Sequence, residues 1–323
     1  MPLPTGMRLP LLLLLLSRGR RWRRLAGAYS RQPPPARSLS CGGGGTGPRM
    51  RPGPPSSGCF SASWARNMSS KEFDPTFPTT DWKVAKRHLE EIDHAKRRCY
   101  YKAKRFVMID EIQTWKDFSV EEKLKQPVTS YNKDDVLNEK ISLLQEDITK
   151  LEIDAIVNAA NSSLMGGGGV DGSIHLAAGP LLRDECATLN GCSPGDSKIT
   201  SGYCLPAKYV VHTVGPFVQG KERLPEKVLS SCYIESLKLA DVNGLRSIAF
   251  PCVSTGAYGY PNGQAAETAL KAVRQYLEER RNSFDRIIFC VFLKLDYVLY
   301  KEKMPFYFPF GAKPQSQLQE QCQ

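Results

Sequence analysis

The chain has 323 residues and more basic than acidic side chains, with 44 Lys and Arg against 33 Asp and Glu. The excess lies in residues 1–70, which contain eleven arginines, no lysine and no acid, so residues 71–323 hold 33 basic and 33 acidic residues. Because residues 71–323 are formally neutral, their composition gives no argument for a basic nucleic-acid-binding face. The length of the chain suffices for one large domain or two small ones.

Residues 1–70 are predicted to be a disordered leader that directs the protein to the mitochondrial matrix. The segment is rich in Arg, Ser, Pro and Gly and free of acids, which is typical of a transit peptide and cannot build a packed core. A secretory signal on residues 11–16 is the alternative, but arginines follow this run instead of a small-residue cleavage site. Its six leucines are too few for a membrane span, which takes about 20 residues. A form starting at Met68 would lack the leader and stay in the cytosol or nucleus.

Residues 71–137 are predicted to form a charged helical extension packed on the main domain. Asp81 suits the N-cap of a helix that carries Ala85 and Leu89 on one face. The basic stretch 96–105 is compatible with a nucleic-acid-binding helix or with a solvated face. Nearby acids offset its charge, and we therefore expect a solvated face.

Short apolar runs alternate with longer amphipathic segments in residues 138–310. The predicted strands cover residues 141–144, 155–157, 209–214, 247–251 and 286–293. The predicted helices cover residues 173–189, 225–241, 264–281 and 296–303. This alternation predicts an α/β domain, with a sheet covered on both faces and a ligand crevice at the carboxyl ends of its strands. Residues 311–323 are predicted to be a disordered tail.

Four consecutive glycines, Gly166 to Gly169, stand between a predicted strand and a predicted helix. Their backbone can approach a ligand closely, and N–H groups at a helix N-terminus favour negative charge, so the segment predicts a phosphate-binding loop. The Gly-Lys-Ser/Thr ending of a Walker loop is missing, and any run of four glycines matches a dinucleotide fingerprint. A mobile surface linker is the alternative. A second small-residue loop, 254–260, also brings no lysine or arginine.

Asp171 and His175 are four residues apart and share one face if a helix begins at Asp171. Either the pair is catalytic, or Asp171 caps the helix and His175 is its satisfied partner. The ten cysteines form no C-x-x-C pair, and Cys252 and Cys290 lie in apolar runs where a thiol is usually a small buried hydrophobe. The sequence therefore predicts no metal site, no disulfide and no covalent nucleophile.

These segments together resemble the macrodomain family, and most closely its MacroD-type ADP-ribosyl hydrolases. The resemblance covers about residues 72–310 and is carried by Asp147-Ile-Thr, Asp154 to Asn161, Gly166 to Gly172, His212 to Pro216 and Ser254 to Gly259. It implies a three-layer α/β/α sandwich with a central mixed sheet and ADP-ribose bound at the strand ends. It also implies an enzyme that removes mono-ADP-ribose from Asp and Glu side chains of modified proteins and deacetylates O-acetyl-ADP-ribose. We expect the enzyme to be a monomer that needs no cofactor or metal and does not bind a membrane. ADP-ribosylated nucleic-acid ends are a further candidate substrate.

The resemblance also implies roles for individual binding residues. Asp147 would accept the adenine amino group, beside Ile148, and Phe292 would stack on the ring. By residue type alone, Asp147 is equally a cap at a strand end, and Phe292 is more typical of a core aromatic. Residues 167–170 and 254–258 would hold the diphosphate, with Tyr258 against the distal ribose. The full implied set is Asp147, Ile148, Asn158, Ala160, Asn161, Gly166, Gly167, Gly168, Gly169, Val170, Asp171, Ser254, Thr255, Gly256, Ala257, Tyr258, Gly259, Tyr260 and Phe292.

The implied catalytic residues are Asp171, Asn161 and His175, with water activated partly by the substrate's own phosphate. Asn158 and Asn161 would lie near the distal ribose, where amides can donate and accept hydrogen bonds. Two other functions stay open. A reader of ADP-ribosylation would bind without turnover and would not need this polar set, and a dehydrogenase-type protein would bind NAD.

Two positions inside the glycine segment depart from the family pattern. Ser173 stands where the family has cysteine, and Leu176 stands where it has arginine. We expect the missing positive side chain to weaken phosphate attraction or a local ion pair.

Overall fold

The computed structural model describes residues 81–218 and 224–311. The predicted leader, and the predicted tail apart from Gly311, lie outside these residues. The helices are α1 (Trp82–Glu91), α2 (His94–Arg97), α3 (Trp115–Glu121), α4 (Asp135–Lys140), α5 (Gly169–Ala178), α6 (Pro180–Thr188), α7 (Glu226–Val242), α8 (Asn262–Glu279) and α9 (Lys294–Tyr307). The strands are β1 (Val107–Met108), β2 (Ile141–Gln145), β3 (Leu151–Glu152), β4 (Ala155–Ala160), β5 (Ser197–Ser201), β6 (Tyr209–Val214), β7 (Ser247–Phe250) and β8 (Arg286–Val291). Within the described ranges, no helix combines the length and the hydropathy that crossing a membrane requires.

Six strands form a mixed sheet in the order β2-β8-β7-β4-β6-β5. All neighbours are parallel except β5, which pairs antiparallel with β6 at the edge. The strands β1 and β3 form a separate parallel pair of two residues each. Because five strands of the large sheet run in the same direction, the loops that follow them gather at one edge, where α/β sheets bind their ligands.

The central strands are buried on both faces, so successive side chains enter two different cores. Val157 and Phe289 pack in the core that includes residues of α7, α8 and α9. Ile156 and Ile288 pack in the core that includes residues of α1, α5 and α6. The predicted sheet covered on both faces is therefore confirmed, and it has three layers.

The structure confirms the five predicted strands but corrects the helix predicted over residues 173–189. That segment belongs to two helices, because Gly179 ends α5 with φ 86° and Pro180 begins α6. A positive φ at a helix C-terminus favours glycine, and proline suits the first position of a helix. The strand β5 was not predicted, since its sequence Ser-Lys-Ile-Thr-Ser contains one apolar residue and edge strands need little apolar character.

The predicted extension shares the hydrophobic cores of the sheet. The Asp81 side chain caps α1 by accepting a hydrogen bond from Lys83 N at 2.8 Å, as predicted. Ala85 and Leu89 are buried in the core of α5 and α6. The helix α4 crosses the predicted boundary between residues 137 and 138. Leu137 packs in the core that also contains Phe289 of β8. Packing therefore continues from the extension into the sheet.

The basic stretch 96–105 fastens the extension to the domain. No continuous helix forms here, because α2 ends at Arg97. Arg97 is only 4% exposed and donates to the backbone oxygen of Ala207 at 3.1 Å. Arg98 pairs with Glu152 at 2.6 Å. The expectation of a solvated face is therefore wrong for Arg97. The stretch 96–105 also does not form the continuous helix that the nucleic-acid-binding alternative requires.

The buried carboxylate of Glu185 joins α1 and α6 to the sheet edge. It accepts hydrogen bonds from Ser201 N at 2.9 Å and from the Tyr203 hydroxyl at 2.7 Å. Lys86 of α1 donates to its other oxygen at 2.8 Å. A carboxylate withdrawn from water in this way is tolerated because each oxygen has a donor.

We expect Glu185→Ala to lower the free energy of unfolding by about 3 kcal/mol, because it leaves the Ser201 N–H and the Tyr203 hydroxyl without an acceptor. The matched control is Glu235→Ala, which removes a surface carboxylate paired with Lys238. The control is expected to change the same free energy by less than about 0.5 kcal/mol. Urea unfolding measures both, and equal losses would contradict a special contribution of Glu185.

Candidate functional site

The carboxyl ends of the parallel strands open into a cleft of about 580 Å³. Asn161 follows β4, Gly215 follows β6 and Phe292 follows β8 in its lining. No lysine, arginine or histidine occurs among the described residues that line the cleft. Its acidic lining residues are Glu146, Asp147, Asp171 and Asp296. An anionic ligand would therefore depend on backbone N–H groups, as the sequence predicts.

The glycine loop brings the N-terminus of α5 to the cleft. Gly167, Gly168 and Gly169 line the cleft, and α5 begins at Gly169 with Gly168 as its N-cap. No side chain caps this helix, so the N–H groups of its first turn are left for a ligand. The predicted helix start at residue 173 is wrong, and so is the alternative that Asp171 is the N-cap.

The loop packs closely on α5, so that an added side-chain carbon would clash at residue 172 and would be tightly placed at residue 167. A methyl group at residue 172 would lie 2.5 Å from the backbone oxygen of Gly167. A methyl group at residue 167 would lie 3.0 Å from Asp171 Oδ2 and 3.2 Å from Asn161 Nδ2. The loop backbone therefore lies directly against these two polar side chains.

Asp171 presents a nearly buried carboxylate to the cleft. The residue is 4% exposed and lies in the cleft lining. Asn161 Nδ2 lies 3.4 Å from Asp171 Oδ2 and donates to the Gly166 oxygen at 3.0 Å. Asn161 Oδ1 accepts from Ser163 N at 3.0 Å, which fixes the orientation of the amide. The structure thus brings Asp171 and Asn161 together beside the glycine loop.

Asn158 and His175 lie behind Asp171 and outside the cleft lining. Asn158 is fully buried and donates from Nδ2 to Asp171 Oδ1 at 2.8 Å, so its predicted contact with a ligand is corrected. His175 Nε2 lies 3.5 Å from Asp171 Oδ1. Burial lowers the pKa of His175, although Asp171 acts to raise this pKa, so the neutral ring is favoured. His175 Nε2 has no hydrogen-bond partner within the described residues, and His175 is not part of the cleft lining.

The second loop brings a strained residue to the cleft. Ser254 has φ 66°, which is unfavourable for a side chain other than glycine. Its hydroxyl oxygen is buried and has no hydrogen-bond partner within the described residues, although the residue itself lines the cleft. The Tyr258 ring packs edge-on against Phe217, with 5.7 Å between ring centroids. This contact supports the ring that faces the cleft.

Three further residues of the predicted binding set do not line the cleft, namely Gly166, Gly259 and Tyr260. Tyr260 is 2% exposed and belongs to the hydrophobic core, so its predicted ligand contact is corrected. Leu176 is also outside the lining, with 71% of its surface exposed. The effect of the missing arginine on phosphate attraction or on a local ion pair stays a prediction. Ser173 does line it.

Asp147 and Phe292 lie at the ends of neighbouring strands, β2 and β8. Asp147 Oδ1 accepts from Thr149 N at 3.0 Å and from Thr149 Oγ1 at 2.7 Å, so the residue does cap a turn. Its Oδ2 takes part in neither bond. Phe292 is 72% exposed, so the core interpretation is wrong and its ring is free to stack.

Sequence reasoning missed Asp296 in the cleft lining and the cleft position of two cysteines. Asp296 is 5% exposed and accepts from Asn262 Nδ2 at 2.6 Å. Its position in the first turn after β8 was the available signal. Burial raises the pKa of Cys290 to about 12 and raises the pKa of Cys252 as well. Both thiols therefore stay protonated and are poor nucleophiles.

One group among the described residues has the composition of a metal site. The ligand atoms of His175, Cys186 and His212 lie within 4.8 Å of one another. Both ring nitrogens of His212 already have partners, Asn158 Nδ2 at 3.1 Å and Thr200 Oγ1 at 2.9 Å. Burial also raises the pKa of Cys186 to about 12, which disfavours the thiolate that zinc requires. The group is better explained as a buried hydrogen-bonded network.

Comparisons with known proteins agree with this fold. The model of the Macro domain family matches residues 157–269, which include the glycine loop. The ADP-ribose glycohydrolase MACROD1 of Bos taurus is 54% identical over 232 residues, which are 72% of this chain and 71% of that protein. The MACROD1 of Mus musculus is 53% identical over 232 residues, 72% of each protein. A crystal structure of the Trypanosoma brucei macrodomain in complex with ADP-ribose is 39% identical, with a TM-score of 0.56 and coverage of 68% of this chain and 89% of that chain.

Gly172→Ala tests the contact between loop and helix, because helix propensity and tertiary packing predict opposite signs. Alanine is better than glycine inside a helix by about 1 kcal/mol. The clash with the Gly167 oxygen should outweigh this gain and lower the free energy of unfolding by about 1–3 kcal/mol. The control Gly263→Ala in α8 meets Lys303 Cε at an ordinary 3.7 Å and should stabilise by up to about 1 kcal/mol. Urea unfolding measures both, and a stabilised Gly172→Ala would contradict the packing argument.

Proposed function

This chain belongs to the macrodomain family, and we propose that it is an ADP-ribose-binding hydrolase that removes single ADP-ribose groups from Asp and Glu side chains of modified proteins. O-acetyl-ADP-ribose, also an ester of the distal ribose, is its proposed small-molecule substrate. The two MACROD1 relatives, of which this chain covers 71% and 72%, are ADP-ribose glycohydrolases. A structure of the same fold contains ADP-ribose.

The position of Asp171 carries the proposal. Its carboxylate lies in the cleft lining, directly against the backbone of Gly167 in the glycine loop. A carboxylate close to a bound diphosphate is electrostatically unfavourable, so a protein that only binds would gain from its absence. Asp171 is instead supported by an amide donor, Asn158 Nδ2 at 2.8 Å. This arrangement supports chemistry at the distal ribose rather than binding alone.

In the proposed complex, the ligand extends from the end of β2 to the start of α5. Adenine stacks on Phe292 and its amino group donates to Asp147. The diphosphate accepts from the N–H groups of residues 167–170 and from the loop 254–258, where the unpaired Ser254 hydroxyl is a further donor. The distal ribose then reaches Asp171 and Asn161. Each contact uses a group that the fold leaves available.

Hydrolysis of the carboxylate ester needs a positioned water and an acceptor for its proton. For the protein substrate, the water oxygen bonds to the anomeric carbon of the distal ribose, the bond from that carbon to the carboxylate oxygen breaks, and the carboxylate leaves with its electron pair. For O-acetyl-ADP-ribose, the water oxygen bonds to the acetyl carbon instead, and the ribose oxygen leaves and is protonated. In this mechanism Asp171 orients the water and takes its proton, together with a phosphate oxygen of the substrate. Asn161 holds Asp171 and the ribose in place, and His175, whose Nε2 lies 3.5 Å from Asp171 Oδ1, is the third proposed member of the catalytic set.

The arginine-rich, acid-free leader supports the mitochondrial matrix as the place of action. A form that starts at Met68 would act in the cytosol or nucleus. In either form we assign the activity to residues 138–310, with residues 81–137 packed against them.

Release of free ADP-ribose from a protein that is mono-ADP-ribosylated on glutamate tests the function directly. We expect release, because a carboxylate is a good leaving group. The same protein modified on arginine is the control and should stay modified, since a guanidine is a far more basic leaving group. Chromatography measures the free ADP-ribose released from each of the two modified proteins. Tight ADP-ribose binding without release from glutamate would support a reader and overturn the hydrolase.

Asp171→Asn should lower kcat by roughly 10²- to 10⁴-fold, because the amide keeps the shape of the carboxylate but cannot accept a proton. The Kd for ADP-ribose should change by less than about fivefold, since the binding contacts remain. The control Asp184→Asn replaces an exposed acid on α6 and should change neither constant. Single-turnover release and calorimetric titration give the two values. Equal losses of turnover and affinity would make Asp171 a structural residue.

A further inference from the structure

We propose that His212 is a positioning residue that orients Asp171 through Asn158. The inference rests on the proposed function, because it assigns His212 a part in placing the carboxylate that handles the attacking water. His212 lies on β6, is fully buried and touches no part of the cleft lining. Its contribution would therefore pass through the side chain that stands between it and Asp171.

Strand register brings His212 and Asn158 together. The strands β4 and β6 pair in parallel, with Asn158 and His212 as direct partners. Asn158 Nδ2 lies 3.1 Å from His212 Nδ1 and 2.8 Å from Asp171 Oδ1. A side-chain amide nitrogen carries two protons, so both are used. The result is a chain of contacts from β6 across β4 to the carboxylate on α5.

The hydrogen bonds of Asn158 determine the tautomer of His212. Because Asn158 Nδ2 donates, His212 Nδ1 must accept and cannot carry a proton. The ring proton then lies on Nε2, where Thr200 Oγ1 at 2.9 Å accepts it. The groups that face the ring are His175, whose ring centroid lies 6.2 Å away, and Cys186, whose sulfur lies 3.7 Å from Nε2. Burial lowers the pKa of His212 to about 3, so the ring stays neutral.

The tautomer matters because it prevents the Asn158 amide from turning over. With a proton on His212 Nδ1, Asn158 Oδ1 would turn toward the ring and would then also face Asp171 Oδ1. Two oxygens at hydrogen-bond distance repel each other, and the carboxylate would have to rotate. Asn158 Oδ1 has no partner within the described residues, so the described hydrogen bonds of this amide all involve Nδ2. His212 Nδ1 is thus the acceptor that selects the amide orientation.

A pair of substitutions separates this role from ordinary core packing. His212→Leu removes the acceptor, whereas His212→Asn can return an oxygen near the position of Nδ1. We expect His212→Leu to lower kcat by roughly 10- to 100-fold, the size of effect that misplacement of a reacting group produces. The Kd for ADP-ribose should stay within about threefold, which also shows that the variant is folded. His212→Asn should recover most of kcat. The control Cys186→Ala deletes a neighbour of the same ring and should change kcat by less than about twofold.

A double substitution tests the route. If His212 acts through Asn158, His212→Leu should have no further effect on kcat in an Asn158→Ala background. Additive losses would overturn the route, and so would an unchanged kcat in folded His212→Leu.

Nitrogen-15 NMR of the histidine rings tests the tautomer without any activity. The chain has four histidines, and the His212→Asn spectrum identifies the signal. We expect a neutral ring with its proton on Nε2. A proton on Nδ1 would overturn the inference, whereas absence of ADP-ribose release in the wild-type protein would overturn the proposed function and leave this result standing.

Discussion

The carboxylate of Asp171 is only 4% exposed, and the layout of the site follows from the need to give its oxygens donors. Asn158, within β4, donates to one oxygen, and Asn161, just after β4, lies near the other. A buried carboxylate without such partners would cost several kcal/mol. The strand, the loop and α5 must therefore keep one relative position. Gly172 permits it, because a methyl group there would lie 2.5 Å from the backbone oxygen of Gly167 and would push loop and helix apart.

The same constraint explains why the described residues of the cleft lining include no lysine or arginine. A lysine or arginine beside Asp171 would form an ion pair with it and occupy the place of the reacting ribose. The lining has acids and backbone instead, so a diphosphate would be held by the oriented N–H groups at the start of α5. The fold orients such groups before a ligand binds, which suits a site that must hold the distal ribose at a fixed distance from Asp171.

Polar contacts between layers keep this arrangement rigid from outside the cleft. Glu185 on α6 ties α1 to the residues at the end of β5, and its neighbour Cys186 touches the His212 ring. Arg97 donates to the backbone before β6. The part of the predicted extension that contains α1 thus packs on the layer that carries α5, whereas Trp115 and Leu137 pack in the other core. A mutation in it would reach the site through packing rather than through contact with a ligand.

The amino-acid sequence by itself determined the five parallel strands of the large sheet, the glycine loop, the Asp81 cap and most of the residues that line the cleft. Each of these depends on short-range preferences: apolar runs, glycine flexibility and capping side chains. Only the tertiary structure decided which of these residues are buried and which are exposed. Asn158 and Tyr260 were expected to contact the ligand but are buried. Phe292 is of a residue type that is common in protein cores but is exposed. The physical reason is that burial depends on pairing between distant segments. Asn158 meets His212 across 54 residues of sequence because β4 and β6 share a register, and no local pattern carries that information.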